Sequence, residues 1–315
     1  MAEVSMRQGR STPTSTKSPA MTAILLWWAG FKDACAVHRT HKFFACSRVV
    51  RVKTGRCFLF NGFIFLGSMV FMHHLILPAA AWVLRLTFLG SSVQDDPLMK
   101  TIEPMLKCMY NCLWLYPAYV MGFVVNCIWY QEIAKHAHAT MPAESAASAQ
   151  PHAITPRRAG IGAAIGEELF RVILFAVFML QVAVSSWLPV VGKYVYFVLL
   201  SWLYAYYCFD YKWSIERWSL DQRLVFFESH WTYFAGFGSP CTLAAVSLPW
   251  MVGEGLMSTF FPLFVLVAMG SDVRAANGLR NSSSPHAVAP LGRLPIFRFA
   301  ASQATVLVSM MQPMS

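Results

Sequence analysis

Long apolar runs separated by short polar stretches dominate the chain between residues 58 and 269. A helix that crosses a bilayer needs about 20 predominantly apolar residues, and several of the runs reach that length. The pattern predicts about six membrane-embedded helices, over Phe58–Leu77, Met105–Tyr130, Leu169–Val190, Tyr194–Phe209, Tyr233–Met251 and Leu256–Met269. We therefore predict an all-α, polytopic membrane protein in which some helices form partial hairpins.

The last two apolar runs form a pair around Gly253 and Glu254. The second of them, Leu256–Met269, is shorter than the roughly 20 residues that a full crossing requires. We expect this last helix to be a partial, re-entrant one.

Composition divides the chain into four segments. Residues 1–28 begin with a Ser-, Thr- and Pro-rich stretch and are predicted to be disordered. Residues 29–56 mix aromatic and basic residues and are predicted to lie as an amphipathic segment on an anionic membrane surface. Residues 57–270 are predicted to form the helical membrane domain, and residues 271–315 a basic cytosolic tail.

The charge content supports a membrane protein and argues against a nucleic-acid-binding one. Only 13% of the residues are charged, whereas soluble domains contain about 25%. The net charge of +10 raises the possibility of a nucleic-acid partner. However, the basic residues flank apolar runs, where they set membrane orientation. We predict contact with membrane lipids, no nucleic-acid partner and both termini in the cytosol.

Sequence patterns typical of catalysis or metal binding are missing from the chain. It has no nucleophile elbow, no H-E-x-x-H and no Walker loop. The eight cysteines are scattered and include no C-x-x-C pair, which argues against structural zinc. We expect neither an enzyme nor a cofactor or metal site.

The most distinctive stretch lies between Leu203 and Pro240, where an apolar helix ends in aromatic residues. A polar loop is predicted to follow it over 210–232, and its opposite charges permit local ion pairs. Two interpretations remain open, an interfacial anchoring loop and a pore mouth or docking surface. The candidate contact residues are Asp210, Tyr211, Lys212, Trp213, Gln222, Arg223, Glu228 and Trp231.

This stretch resembles the etoposide-induced protein 2.4 family. The resemblance is carried by a Leu-Tyr-x-x-Tyr-Cys-Phe-acid-Tyr-basic-Trp run from Leu203, by Gln-Arg-Leu at 222–224 and by Gly-Phe-Gly-x-Pro at 236–240. The segments 30–33 and 54–57 look like those of the plant members. A second block agrees with the family and consists of Trp129, Tyr130, Gln131 and Glu132.

The resemblance implies an endoplasmic-reticulum membrane protein that supports autophagosome formation or maturation, with links to growth control and cell death. Its partners would be other autophagy or endoplasmic-reticulum proteins, and oligomers are possible. The wider family looks related to the bacterial CysZ sulfate permeases, so a small-anion transporter is the alternative. Anion passage needs basic groups or helix N-termini in the bilayer. Arg85 lies within an apolar stretch, and a single arginine supports this alternative only weakly. A lipid-handling protein is a third reading that the sequence does not separate from the first.

Overall fold

The computed structural model describes residues 18–84, 86, 97–141, 161–276 and 291–311, and within these ranges the chain forms helices and no strand. Residues 1–17, which belong to the segment predicted to be disordered, and Arg85 lie outside the described residues. The helices are α1 (Pro19–Cys35), α2 (His41–Cys46), α3 (48–84), α4 (97–139), α5 (Ile161–Ser185), α6 (Gly192–Ile215), α7 (Leu220–Ser229), α8 (Trp231–Val246), α9 (Trp250–Gly270), α10 (Val273–Ala276) and α11 (Arg298–Met311).

Among the described residues, three helices are long and apolar enough to cross a membrane. They contain the spans Arg48–Ala80 in α3, Pro104–Ala139 in α4 and Met251–Gly270 in α9. A fourth span results if α1 and the bent segment Val37–Cys46 are counted together. The protein is therefore an all-α, multi-pass membrane protein, as the apolar pattern predicts. The predicted helices at 169–190, 194–209 and 233–251 correspond to α5, α6 and α8, which do not meet the same criterion over the described residues.

The last hairpin reverses direction earlier than the sequence pattern suggests. The chain turns at 247–249, so Gly253 and Glu254 lie inside α9 rather than between two helices. Pro249 disfavours helical geometry at the residue before it, which explains why α8 ends here. With its start at Trp250, α9 has 21 residues, and the prediction of a short re-entrant last helix is wrong.

The amino-terminal region is helical earlier than its composition predicts. Ser18 caps α1 by accepting a hydrogen bond from the amide of Met21 at 3.3 Å. Residues 19–28 are therefore helical, and the prediction of disorder is wrong for them. The segment 29–56 contributes to α1, α2 and α3, and exposed basic side chains lie along it, namely Lys32, Arg39, Lys42, Arg48, Arg51 and Arg56.

Glycines bring α8 to backbone distance from two neighbouring helices. A Cβ atom on Gly236 would lie 1.9 Å from the carbonyl oxygen of Trp27 in α1. A Cβ atom on Gly238 would lie 1.7 Å from the carbonyl oxygen of Ser201 in α6. Small residues permit this close approach, so the two glycines of the Gly-Phe-Gly-x-Pro run allow this helix packing.

The carboxy-terminal segment 291–311 is docked on the helix bundle. Phe297 is buried, and its ring centroid lies 4.9 Å from that of Phe178 and 5.3 Å from that of Tyr206. The next helix, α11, packs against α5. The boundary predicted at residue 271 therefore does not separate a free tail from the bundle.

Candidate functional site

The residues predicted to form a mixed-charge loop are mostly helical. Helix α6 continues through Asp210, Tyr211, Lys212 and Trp213, and α7 contains Gln222, Arg223 and Glu228. The prediction of a loop over 210–232 is therefore wrong. Ser219 and Gln222 form a reciprocal capping box at the start of α7. This Ser-x-x-Gln pattern is a recognised helix-start signal, and it could have identified α7 from the sequence.

Arg223 joins the end of α6 to the start of α7. Its Nη1 donates to Asp210 Oδ1 at 2.7 Å and to Ser214 Oγ at 3.1 Å. Its Nε and Nη2 both donate to the carbonyl oxygen of Trp218, at 3.0 and 2.8 Å. The planar guanidinium of arginine suits this set of acceptors. The predicted local ion pair is present, and both of its side chains are largely buried.

Glu228 fastens the carboxy-terminal segment to α7. It is only 2% exposed, and its Oε2 accepts a hydrogen bond from Nε of Arg293 at 2.7 Å. Its Oε1 accepts one from the backbone amide of Phe297 at 3.0 Å. Buried carboxylates require partners of this kind. The sequence analysis missed Arg293 and Phe297, because no local pattern connects them with a residue so far away along the chain.

The aromatic residues of the 203–240 block form the core of the bundle. Trp213 is buried, and its ring packs against those of Tyr206, Trp218 and Phe234. The Trp231 ring lies nearly perpendicular to that of Trp202, with centroids 6.4 Å apart. Tyr211, only partly exposed, packs edge-on against Tyr130. These contacts favour a packing role over interfacial anchoring.

The second predicted block connects α4 to its neighbours. The hydroxyl of Tyr130 donates to the carbonyl oxygen of Ser258 in α9 at 2.8 Å. Glu132 forms an ion pair with Lys53 in α3. The other two members of the block differ in exposure. Trp129 is partly buried and packs edge-on against Phe60, whereas Gln131 is exposed.

Paired amides lie beside this block, inside the predicted spans. Asn61 of α3 and Asn126 of α4 hydrogen-bond each other reciprocally, at 3.0 and 2.9 Å. Nδ2 of Asn61 also donates to the carbonyl oxygen of Ser258 at 3.1 Å. Interhelical amide bonds of this kind fix helix packing within a bilayer. Each asparagine is an amide side chain within an apolar run, and this sequence feature could have identified both residues.

A cluster of ionisable residues surrounds a cavity of about 140 Å³ at the end of the bundle where α6 and α9 terminate. We call this end of the bundle the Asp210 end. Nζ of Lys212 donates to the carbonyl oxygen of Ser271 at 2.8 Å, and burial lowers the pKa of this lysine. Burial raises the pKa of the Glu216 carboxyl to about 7, although Lys212 and Arg274 oppose the shift. Burial also lowers the pKa of His230.

Glu216 should make the folded chain less stable as the pH rises from about 5 to about 7. The unfolded chain keeps the ordinary carboxyl pKa near 4.5, whereas the folded pKa is about 7, so the folded state binds this proton more tightly. The stabilisation of the folded state by protonated Glu216 is complete below the pKa of the unfolded chain. It is lost as the pH rises through the pKa of the folded chain. Melting temperatures measured across this range should fall less steeply for Glu216→Gln than for the unmodified chain.

The charges that act on Glu216 are those of Lys212 and Arg274, and Asp272 lines the same cavity. Asp221→Asn is the matched control, because it replaces an exposed carboxyl on α7 and should retain the slope of the unmodified chain. If the slope of melting temperature against pH is unchanged in Glu216→Gln, Glu216 is not the source of this pH dependence.

A larger cavity of about 240 Å³ lies among α3, α4, α5, α6 and α9. Its walls are mostly aromatic and aliphatic, and its deepest polar lining residues are Asn61, Asn126 and Tyr130. Glu254 is the charged residue in its lining, and no Lys or Arg among the described residues lines it. The described residues contain no group of His, Cys, Asp and Glu that could hold a metal ion.

These features define a class of protein: a multi-pass helical membrane protein with an aromatic, ion-paired bundle end and a cavity inside its membrane domain. Residues 36–269 match the family described as "Sulfate transporter CysZ/Etoposide-induced protein 2.4". The chain belongs to this family, in agreement with the resemblance of the 203–240 block.

Named relatives extend the match over most of the chain. "Protein EI24 homolog" of Arabidopsis thaliana is 37% identical over 93% of this chain and 97% of that protein. "Protein EI24 homolog" of Dictyostelium discoideum is 30% identical over 78% of this chain and 74% of that protein. "Ectopic P granules protein 4" of Caenorhabditis elegans is 33% identical over 29% of this chain and 30% of that protein. No solved structure matches the chain.

Proposed function

We propose that this chain is a non-enzymatic protein of the endoplasmic-reticulum membrane that supports autophagosome formation or maturation. Family membership supports the proposal, together with the autophagy role that the resemblance implies for proteins with this 203–240 block. The protein acts through contacts with membrane lipids and with other autophagy or endoplasmic-reticulum proteins.

The observation that carries this proposal is the ordered surface that Glu228 creates outside the predicted spans. By holding Arg293 and Phe297, it joins α7 and the carboxy-terminal segment into one unit. The exposed side chains of this unit include Asp221 and Arg298. This surface offers charged groups to a partner, whereas Asp210 and Arg223 satisfy each other inside the bundle.

We propose that the Asp210 end faces the cytosol. Exposed basic residues of the 29–56 segment gather there, as the positive-inside rule requires of cytosolic segments. The hydroxyl of Tyr233 donates to Asp33 at 2.8 Å, which ties the end of α1 to this end of the bundle. Phe43 of α2 lies beside Gly270 at the end of α9.

A small-anion transporter is less well supported. The charge lining the larger cavity comes from Glu254, and the described residues contribute no Lys or Arg to that lining. A carboxylate repels an anion, and the low dielectric of a membrane interior strengthens the repulsion.

The test is autophagic flux in starved Arabidopsis cells that lack their own EI24 homolog. Re-expression of this chain should restore flux, and the protein should co-fractionate with endoplasmic-reticulum markers. Glu228→Gln at matched abundance should restore flux less well than Glu132→Gln, which alters a more exposed ion pair. Normal flux in the deficient cells, or no recovery upon re-expression, would overturn the proposal.

A further inference from the structure

We propose that the cavity among α3, α4, α5, α6 and α9 is a binding site for a small organic cation of the quaternary-ammonium type, such as a choline group. The inference rests on the charge, the aromatic walls and the size of the cavity. It is independent of the proposed role in autophagy.

The charge that such a ligand would neutralise belongs to Glu254. Its Oε1 accepts a hydrogen bond from the Tyr204 hydroxyl at a long 3.5 Å. Among the described residues, no basic side chain forms an ion pair with it. An ionised carboxylate within a membrane domain requires a partner, and a bound cation would provide one.

The walls of the cavity have the composition of an aromatic cage. The rings of Tyr119, Tyr204 and Tyr207 line the cavity together with those of Phe175 and Phe261. Aromatic faces attract ammonium groups, and cages of such rings recognise quaternary ammonium ligands. The apolar remainder of the lining suits the methyl groups of the ligand.

Other ligand classes fit the cavity less well. Divalent metal ions need several oxygen ligands, but Asn61 and Asn126 already bond each other and Tyr130 bonds Ser258. The volume of about 240 Å³ is below the roughly 300–1,000 Å³ of pockets for drug-sized ligands. The dimensions and the chemistry therefore match a small cation or a lipid head group.

The opening of the cavity indicates how the ligand enters. Among the lining residues, Asn61 is 3% exposed, whereas Met179 on α5 is 54% exposed. Met179 lies in the apolar stretch Ile173–Ser185, so the cavity opens beside an apolar part of α5. Free choline and the choline head group of a phospholipid share the chemistry that the cavity recognises.

Binding of radiolabelled choline to the purified full chain tests the site. The chain is placed in nanodiscs of phosphatidylglycerol, which lack choline. We expect saturable binding that tetramethylammonium displaces and sulfate does not. Glu254→Gln should weaken binding by at least about tenfold, and Tyr204→Phe should weaken it less. Asp221→Asn, a carboxyl-to-amide change outside this cavity, should bind choline as the unmodified chain does.

Several results would overturn the proposal. They are the lack of saturable choline binding by the unmodified chain, unchanged affinity in a monodisperse Glu254→Gln sample, and displacement by sulfate. Nanodiscs of phosphatidylcholine identify the source of the ligand. Competition from this lipid would indicate a head-group site, and equal binding in both nanodiscs would indicate free choline. Flux rescue is a separate readout, so failure of either proposal is recognisable on its own.

Discussion

Gly238→Ala is expected to cause a large loss of bundle stability. The added Cβ atom would lie 1.7 Å from the carbonyl oxygen of Ser201, and this oxygen belongs to the backbone of α6. No side-chain rotation relieves such a contact, so α6 and α8 must separate. Their separation also strains the Ser201–Thr242 hydroxyl hydrogen bond, which is 3.0 Å long. Overpacking typically costs about 1–3 kcal/mol, and we expect the upper end of that range or more.

Fluorescence-detected size exclusion and thermal unfolding of the full chain in detergent measure this effect. Gly55→Ala is the matched control, since a Cβ atom at this position of α3 meets no atom within 4 Å. Alanine favours helix over glycine by up to about 1 kcal/mol, so the control should be unchanged or slightly more stable. Equal behaviour of the two variants would show that the crossing of α6 and α8 tolerates separation.

The length of the apolar runs determines how much of this fold could be predicted from sequence. The spans in α3 and α4 follow from runs that match the bilayer thickness. The position of the last turn did not follow, because the polar Glu254 looked like a break in the apolar pattern. In the structure, Pro249 ends α8 and Glu254 points into a cavity within the membrane domain. A polar residue in an apolar run therefore signals either a turn or a site, and only tertiary packing distinguishes them.

The candidate site shows the same division between local and distant signals. The capping box at Ser219 is local, and a closer reading of the sequence would have predicted α7 from it. The Asp210–Arg223 pair is also close in sequence, and the mixed charges suggested it. The contacts of Glu228 with Arg293 and Phe297 could not be predicted in this way. They form because α11 packs on α5, and neither segment contains a sequence pattern that indicates this packing.

Glu228→Ala is expected to release the carboxy-terminal segment from α7. The change leaves the buried amide of Phe297 without its acceptor, which typically costs about 1–3 kcal/mol. Arg293→Ala should have a smaller effect, because the Arg293 side chain is 53% exposed and Glu228 would still bind the Phe297 amide. The asymmetry arises because water can replace the exposed guanidinium but cannot reach the buried amide.

Limited trypsin digestion of the full chain in detergent can measure this release. Cleavage after Arg298 requires local opening, and its rate follows the population of the open form when opening is fast. A loss of about 1.4 kcal/mol corresponds to a tenfold faster cleavage, so a loss of about 1–3 kcal/mol should make cleavage of Glu228→Ala roughly fivefold to a hundredfold faster than that of the unmodified chain. Asp221→Asn, an exposed change on the same helix, should be cut at the unmodified rate. If Glu228→Ala is also cut at that rate, the segment is held by the packing of Phe297 against Phe178 and Tyr206. The backbone hydrogen bond from the Leu294 amide to the carbonyl oxygen of residue 228, which this variant keeps, would then contribute as well.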